Sequence, residues 1–276
     1  MFHTKKILNR MMGLSLLASL GLVALLLVSA PASAATSPTL GAVGSYSVLA
    51  GSIATNTGAT TMPGDLGVSP SIGVPPHVTG FPPGVVGPPG TIHDADANAA
   101  AAQSDNTAAF AFIDQGCNTT YTGTKDLVGE NLVPGVYCAD AFELSGTLTL
   151  SGSGVWIFKS ASTLITSGTA NVVGGDPCNV WWRVVSSATL GTNTTLIGNI
   201  LALTSISLNT GATLNGRALA QTGAVTMDDN TITTGVCVPG NGTATSVPTL
   251  NEWGVIIFMM LAGLGSVYYL RKYRRV

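Results

Sequence analysis

"SSATLGTNTTLIGNILALTSISLNTGATLNGRALAQTGAVTMDDNTI" occupies residues 186–232, and its internal spacing decides the fold. Thr195-Leu196, Thr213-Leu214 and Thr231-Ile232 recur at a step of 18 residues, as do Gly198 and Gly216, and Ala202 and Ala220. Ile206 and Leu208 match Val225 and Met227 at a step of 19. Within each unit short stretches alternate, as in Ser205-Ile206-Ser207-Leu208, so one residue points in and the next out. Gly and Asn separate the stretches, where the chain must turn. A unit of about 18 residues with three short strands describes one coil of a solenoid. The fold read from this is mainly β: a right-handed parallel β-helix of triangular section, its coils stacked at ~4.8 Å.

Further coils read "LSGTLTLSGSGVWIFKSAS" (144–162) and, less regularly, "TLITSGTANVVGGDPCNVWWRVVSS" (163–187). The pentapeptide "NTGAT" occurs at 56–60 and again at 209–213. The two copies are expected at equivalent positions on two coils, and the amino-terminal copy need not stack at the amino-terminal end: folding back beside the later coils is open to it. One segment breaks the pattern. "HDADANAAAAQSDNTAAFAFIDQG" (93–116) reads as one long helix over about 93–115 packed alongside the solenoid. Asp94 and Asp96 would complement its dipole, Gly116 would stop it, and Phe110 and Phe112 would lie on its covering face. Before it, the Pro/Gly-rich stretch 73–90 is expected to be a connector without regular structure.

The ends follow a different logic. Lys5, Lys6 and Arg10 precede an apolar run from Met11 to Ala30, and Ala32-Ser33-Ala34 supplies a small-x-small cleavage pattern. Residues 1–34 are therefore read as a signal peptide; the run is long enough that an uncleaved anchor is the alternative. The body is 35–243. In the remaining 244–276, the apolar stretch 255–270 is followed at once by "RKYRRV". It is read as a short transmembrane helix whose basic cluster holds the C-terminus in the cytoplasm.

Between residues 35 and 250 stand four cations, Lys125, Lys159, Arg183 and Arg217, against twelve acids, a net charge of −8, whereas the whole chain carries −2. No basic stripe is available to neutralise phosphates, which excludes nucleic acid as a partner. Four cysteines in an exported body read as two disulfides. Cys117–Cys138 with Cys178–Cys237 is the preferred of three possible pairings. No Cys-x-x-Cys or neighbouring His favours a metal. His77 lies in the connector and His93 at the expected helix start, and no Ser-His-Asp grouping, metal motif or phosphate-binding loop accompanies them. Asp228-Asp229-Asn230 reads as a turn rather than a calcium site. No catalysis, metal or cofactor is expected.

What remains is the outward surface. With Leu196, Leu214 and Ile232 inward, Thr195, Thr213 and Thr231 form an outward column. With Ile206 and Leu208 inward, Ser207 points out, flanked by Thr189 and Thr226. Threonine is also an ordinary solvent-face strand residue, so the columns alone do not specify a ligand.

Two resemblances do. Val247-Pro248-Thr249-Leu250-Asn251-Glu252-Trp253-Gly254 resembles the Ile/Val-Pro-Thr-Leu-Ser-Glu-Trp-Gly signal that opens the C-terminal sorting tails of some Gram-negative bacteria, with Asn251 in place of Ser. That resemblance implies a membrane-embedded sorting enzyme as a partner, passing residence in the inner membrane, and delivery to the cell surface or beyond. "GSYSVLAGSIATNTGATTMPGDLGVSP" (44–70), "GFPPG", "TIHDADANAAAAQSD", "LVPGVY", "GTLTLSGSGVWIFK" and the 186–232 stretch, in this order, resemble the bacterial and fungal ice-binding protein family. The family's fold is a triangular β-helix with a helix alongside, and its ligand is the ice crystal surface, met by a flat β-face. A pattern on such faces, Thr-(Ala/Gly)-x-(Thr/Asn), is matched by Thr57-Gly58-Ala59-Thr60 and Thr210-Gly211-Ala212-Thr213. Thr192-Asn193-Thr194-Thr195 departs at its second position, and Asp228-Asp229-Asn230-Thr231 keeps only the last Thr. The resemblance thus implies Thr57, Thr60, Thr189, Thr192, Thr195, Ser207, Thr210, Thr213, Thr226 and Thr231 as ice-contacting residues. The competing reading is a surface-displayed solenoid adhesin or matrix protein that shares the scaffold without affinity for ice.

Overall fold

The computed structural model describes residues 34–71, 73–235, 237 and 271. The signal segment up to residue 33, the sorting octet and the apolar stretch 255–270 lie outside the described residues. Three parallel sheets enclose one core: nine strands on one face and eight on each of the other two. Each coil visits the faces in a fixed order, as Asn199–Ala202, Ile206–Leu208 and Thr213–Asn215 do. We call these the covered face, the hydroxyl face and the third face. The columns read from the sequence are in register: Thr195 pairs with Thr213 and Thr213 with Thr231, Ala202 with Ala220, and Ile206 with Val225. Gly216 stacks directly on Gly198; a Cβ there would lie 2.0 Å from the Gly198 carbonyl oxygen.

Stacking order departs from chain order. On the covered face the strands run Ile92–Asp94, Asp65–Val68, Tyr46–Ala50, Ala218–Ala220, Asn199–Ala202, Val180–Val184, Trp156–Ser160, Gly135–Ala139 and Thr119–Thr120. The amino-terminal coil therefore docks on the last carboxy-terminal one, with Val48 beside Ala218 and Leu49 beside Leu219. One further coil and the single strand Ile92–Asp94 extend the stack before the helix carries the chain back to the opposite end. The stretch 73–90 is not the structureless connector expected. Val78–Thr79 and Val85–Val86 pair with Ala54–Thr57 and Thr61–Met62 and complete an outer coil. Only two residues of each strand need ladder bonds, so the flanking prolines fit an edge they also protect from further pairing.

Helix α1 spans Ala97–Phe112, shorter than the 93–115 expected. Ile92–Asp94 is drawn into the covered face as an edge strand, so His93 and Asp94 are not helical. Asp96 is the N-cap and accepts from the Ala99 amide at 2.9 Å, while Asp94 accepts from His77 instead. The helix ends at Ile113, ahead of Gly116. It runs back along the covered face, and its 16 residues make it ~24 Å long, about five strand spacings. Ala99, Ala102, Ala109, Phe110 and Ile113 pack on Leu49, Leu219, Leu201, Trp181 and Ile157. Phe112, expected on that face, is exposed. Gln103 fixes the docking by donating to the Ala220 carbonyl at 2.9 Å.

This second layer explains why covered-face strands such as Tyr46–Ala50 are buried at every position, whereas strands on the other faces alternate. The inner core is aliphatic at one end. At the other, Phe158 stacks on Trp182 with centroids 4.1 Å apart and meets Phe142 edge-on at 5.8 Å. The Trp182 indole donates to the Ile197 carbonyl at 2.9 Å, so its polar atom is satisfied inside. Both disulfides, Cys117–Cys138 and Cys178–Cys237, are formed.

Candidate functional site

Residues stacked in register turn one alternating strand into a column. On the hydroxyl face Thr79, Thr55, Thr226, Ser207 and Thr189 are directly superposed, five hydroxyls on five successive strands. The column continues into Ile165 and then Glu143, so its hydroxyl character ends there. The Thr226 hydroxyl donates to that of Ser207 at 3.1 Å.

A second column lies beside it. The amides of Asp229, Gly211 and Asn193 donate to the carbonyls of Thr57, Asp228 and Thr210 respectively, stacking Thr57, Asp228, Thr210 and Thr192. Each is followed by a left-handed residue, Gly58, Asp229, Gly211 or Asn193, which turns the chain onto the third face. Asp228 interrupts the hydroxyls and accepts from the Thr210 hydroxyl. Thr55, Thr57, Thr192, Thr210 and Thr226 line one open groove between the two columns. Asp228 ends the strand Val225–Asp228, and Asp229-Asn230 turn the chain into Thr231–Thr233. Among the described residues no three His, Cys, Asp or Glu side chains are grouped to hold a metal ion.

Around the corner, the third face carries Thr61, Thr231, Thr213 and Thr195 in register, bounded by Val85 and Asn171. Its neighbouring column, Thr233, Asn215 and Ile197, is mixed in character.

The two "NTGAT" copies are two coils apart, separated by the 225–232 coil, and only partly equivalent. Thr57-Gly58 and Thr210-Gly211 coincide. After the turn the first copy has one residue more, Ala59, and before the turn the second has one more, Asn209. Thr61, not Thr60, therefore stacks in the column of Thr231 and Thr213. Thr60 is turned inward, 0% exposed, and its hydroxyl accepts from the Asn230 amide at 3.0 Å. A buried side chain touches no external surface, so Thr60 leaves the set of contact candidates. Thr55, Thr61 and Thr79 join the columns unforeseen. Thr55 carried the signal of alternation in Ala54-Thr55; Thr79 was hidden by the prolines around it.

The four cations of the body, unlike Asp228, are spent on structural contacts outside the hydroxyl columns. Lys159 and Arg183 both reach Asp114 just beyond the end of α1, at 2.6 and 3.2 Å, and donate to the Gln115 and Phe110 carbonyls. They neutralise the negative helix terminus. The Lys159 hydrogen bond holds the Asp114 carboxyl below its usual range. Lys125 pairs with Glu130 at 2.5 Å, and that bond raises its pKa. Arg217 is buried, and desolvation pulls its pKa down to about 10. Asp96 is held low, first by the Ala99 amide and then by His93. Burial, with Asp65 and Asp96 nearby, pushes Tyr46 up to about 12.

A rigid solenoid with an open, two-column array of hydroxyls, interrupted by the single carboxylate of Asp228, is built to meet an ordered surface rather than to enclose a small molecule. Comparison with known proteins narrows that class. The profile of the Ice-binding-like family matches residues 48–233, and that of the IPTL-CTERM motif matches residues 245–271. The "Ice-binding protein" of Nostoc sp. (strain HG1) is 44% identical over 222 residues, which cover 77% of this chain and 80% of that protein. The crystal structure of the ice-binding protein from the Antarctic ascomycete Antarctomyces psychrotrophicus has a TM-score of 0.67 at 39% identity, covering 72% of this chain and 98% of that one. An ice-binding protein from an Antarctic biological consortium has a TM-score of 0.68 at 38% identity, covering 75% and 96%. The chain belongs to the ice-binding-like protein family.

Proposed function

We propose that this protein binds ice through the hydroxyl face and thereby inhibits ice growth or recrystallisation outside the cell. The supporting observation is the pair of adjacent columns, Thr79-Thr55-Thr226-Ser207-Thr189 beside Thr57-Thr210-Thr192. A crystal plane is two-dimensional, so a surface that meets it needs periodicity in two directions. The strand spacing of ~4.8 Å supplies one and the alternation along each strand the other. The third face offers a single threonine column of Thr61, Thr231, Thr213 and Thr195, and takes the role of a flank. Each hydroxyl or methyl contributes little by itself. The array is already ordered by the backbone ladder, so little conformational freedom is lost when all its members engage together. Bound molecules then pin the growing ice front between them.

The octet Val247–Gly254 and the segment after it fit an exported protein handled by a membrane sorting enzyme, held for a time by its apolar stretch and released to the cell surface or beyond. The deciding experiment is thermal hysteresis and ice-crystal shape on the purified chain, with Ser207→Tyr and Thr213→Tyr in parallel. Faceted crystals and a freezing gap abolished by Ser207→Tyr but largely kept by Thr213→Tyr are expected. The reverse order would move the contact to the third face. Round, freely growing crystals with the unaltered chain would favour an adhesive solenoid without ice affinity.

A further inference from the structure

Both ends of the described body are fastened at one place. Cys237, the last residue of the body described, is bonded to Cys178. The next residue in the chain, Asn179, accepts from the hydroxyl of Ser37 at 3.0 Å. Between them Arg217 secures the path. Its guanidinium donates to the carbonyls of Gly44 at 2.7 Å and Gly235 at 3.3 Å, and lies 3.3 Å from the Cys237 sulfur. Arg217 has no carboxylate partner among the described residues and is 3% exposed. A buried cation held only by carbonyls, a sulfur and the Asn199 side-chain oxygen at 3.1 Å is costly, and all its contacts but that to Asn199 go to the two ends of the chain.

The position of this clamp matters. Pro177–Asn179 turns the chain from the third-face strand Asn171–Gly174 to the covered-face strand Val180–Val184. Arg217 lies at the same corner two coils on, between Thr213–Asn215 and Ala218–Ala220. In a triangular section the corner shared by the third and covered faces is the one across from the hydroxyl face. Cys237, the last body residue described ahead of the IPTL-CTERM match, is therefore held at the corner opposite the hydroxyl columns.

We propose that the molecule is built as a bridge: held by its C-terminal segment, it presents the hydroxyl face away from whatever carries that segment, and so attaches that carrier to ice. This rests on the reading of the hydroxyl face as the ice contact. The partner on the far side is the surface bearing the sorted C-terminus. A molecule working only in free solution has no need to fix its exit point, because either orientation reaches ice equally.

The test uses the full chain biotinylated at its C-terminus and loaded on streptavidin beads, with bead retention on a washed ice surface as the readout. The comparison is Glu143→Cys, biotinylated at the new thiol. Glu143 points outward on the hydroxyl face beyond the end of the hydroxyl column, so a bead attached there stands on the same side as ice. Several-fold greater retention is expected through the C-terminus than through position 143, with equal thermal hysteresis for both proteins free in solution. The double variant Cys178→Ser/Cys237→Ser should keep its free hysteresis while its C-terminal beads lose their advantage. Equal retention from both attachment points, or retention from neither while hysteresis persists, would overturn the bridge and leave the ice contact standing. Absence of hysteresis from the free unaltered chain would overturn the ice contact, and the bridge with it.

Discussion

Thr226 and Ser207 sit one coil apart in the hydroxyl column, and the hydroxyl of the first donates to that of the second at 3.1 Å. The link sets the direction of one O–H along the stack, so the column meets its ligand partly preoriented. Ser207 is also the one member of that column without a methyl group. Ser207→Thr restores it on a strand that favours β-branched side chains. Thermal hysteresis at equal concentration is expected to rise, with stability changed by no more than ~0.5 kcal/mol. Unchanged or lower hysteresis would mean that the methyl is not part of the contact.

Asp228 occupies the second column between Thr57 and Thr210. A carboxylate holds its own hydration shell and resists the ordered water of a crystal face. Asp228→Thr should therefore raise hysteresis beyond that of the unaltered chain. The thermal midpoint should fall slightly, because Thr210 loses its acceptor.

Thr60 looks like a contact residue in its pentapeptide but lies inside the corner. Thr60→Val keeps the shape and removes the acceptor of the Asn230 amide, at a cost of ~1–3 kcal/mol for a buried unsatisfied donor. Denaturant unfolding should register that loss and Thr60→Ser should largely restore it. Hysteresis per folded molecule should stay constant across all three.

Trp182 stacks on Phe158 in the core, away from the hydroxyl columns. Trp182→Ala should cost ~3–5 kcal/mol by cavity formation. At a temperature where the variant remains folded its hysteresis should match that of the unaltered chain, since the register of the face is set by the backbone.

Asp114 ties the end of α1 to Lys159 and Arg183, and its folded pKa lies below the ordinary 3.8. A depressed carboxyl contributes stability above its unfolded pKa and loses it as pH falls through the folded value. The thermal midpoint should therefore drop on acidification below about pH 4. In Asp114→Asn the same acid limb should be shallower and the midpoint at pH 7 lower.

Much of this is legible in the sequence. The 18-residue step places Thr195, Thr213 and Thr231 in one column because a parallel ladder superposes equivalent residues of successive coils, and the structure pairs them so. The resemblance carried the ligand class, which the columns alone did not. Thr60 was misplaced because one inserted residue, Ala59, is invisible in a motif match, yet inverts every side chain after it. The strands at 78–79 and 85–86 went unread because proline signals turn chemistry whether or not a two-residue bridge lies between the turns.

The sequence by itself determined the coil, the inward and outward residues of each repeat, and the scarcity of charge on the body, since each follows from local alternation and composition. Only the tertiary structure decided that the amino-terminal coils stack on the carboxy-terminal ones. That docking adds Thr55 and Thr79 to Thr226, Ser207 and Thr189, and it depends on pairing strands more than 150 residues apart. Local sequence carries no term for such contacts. They form because the last coil's apolar edge and unpaired backbone groups must be covered, and the first coils are the part of the chain that fits.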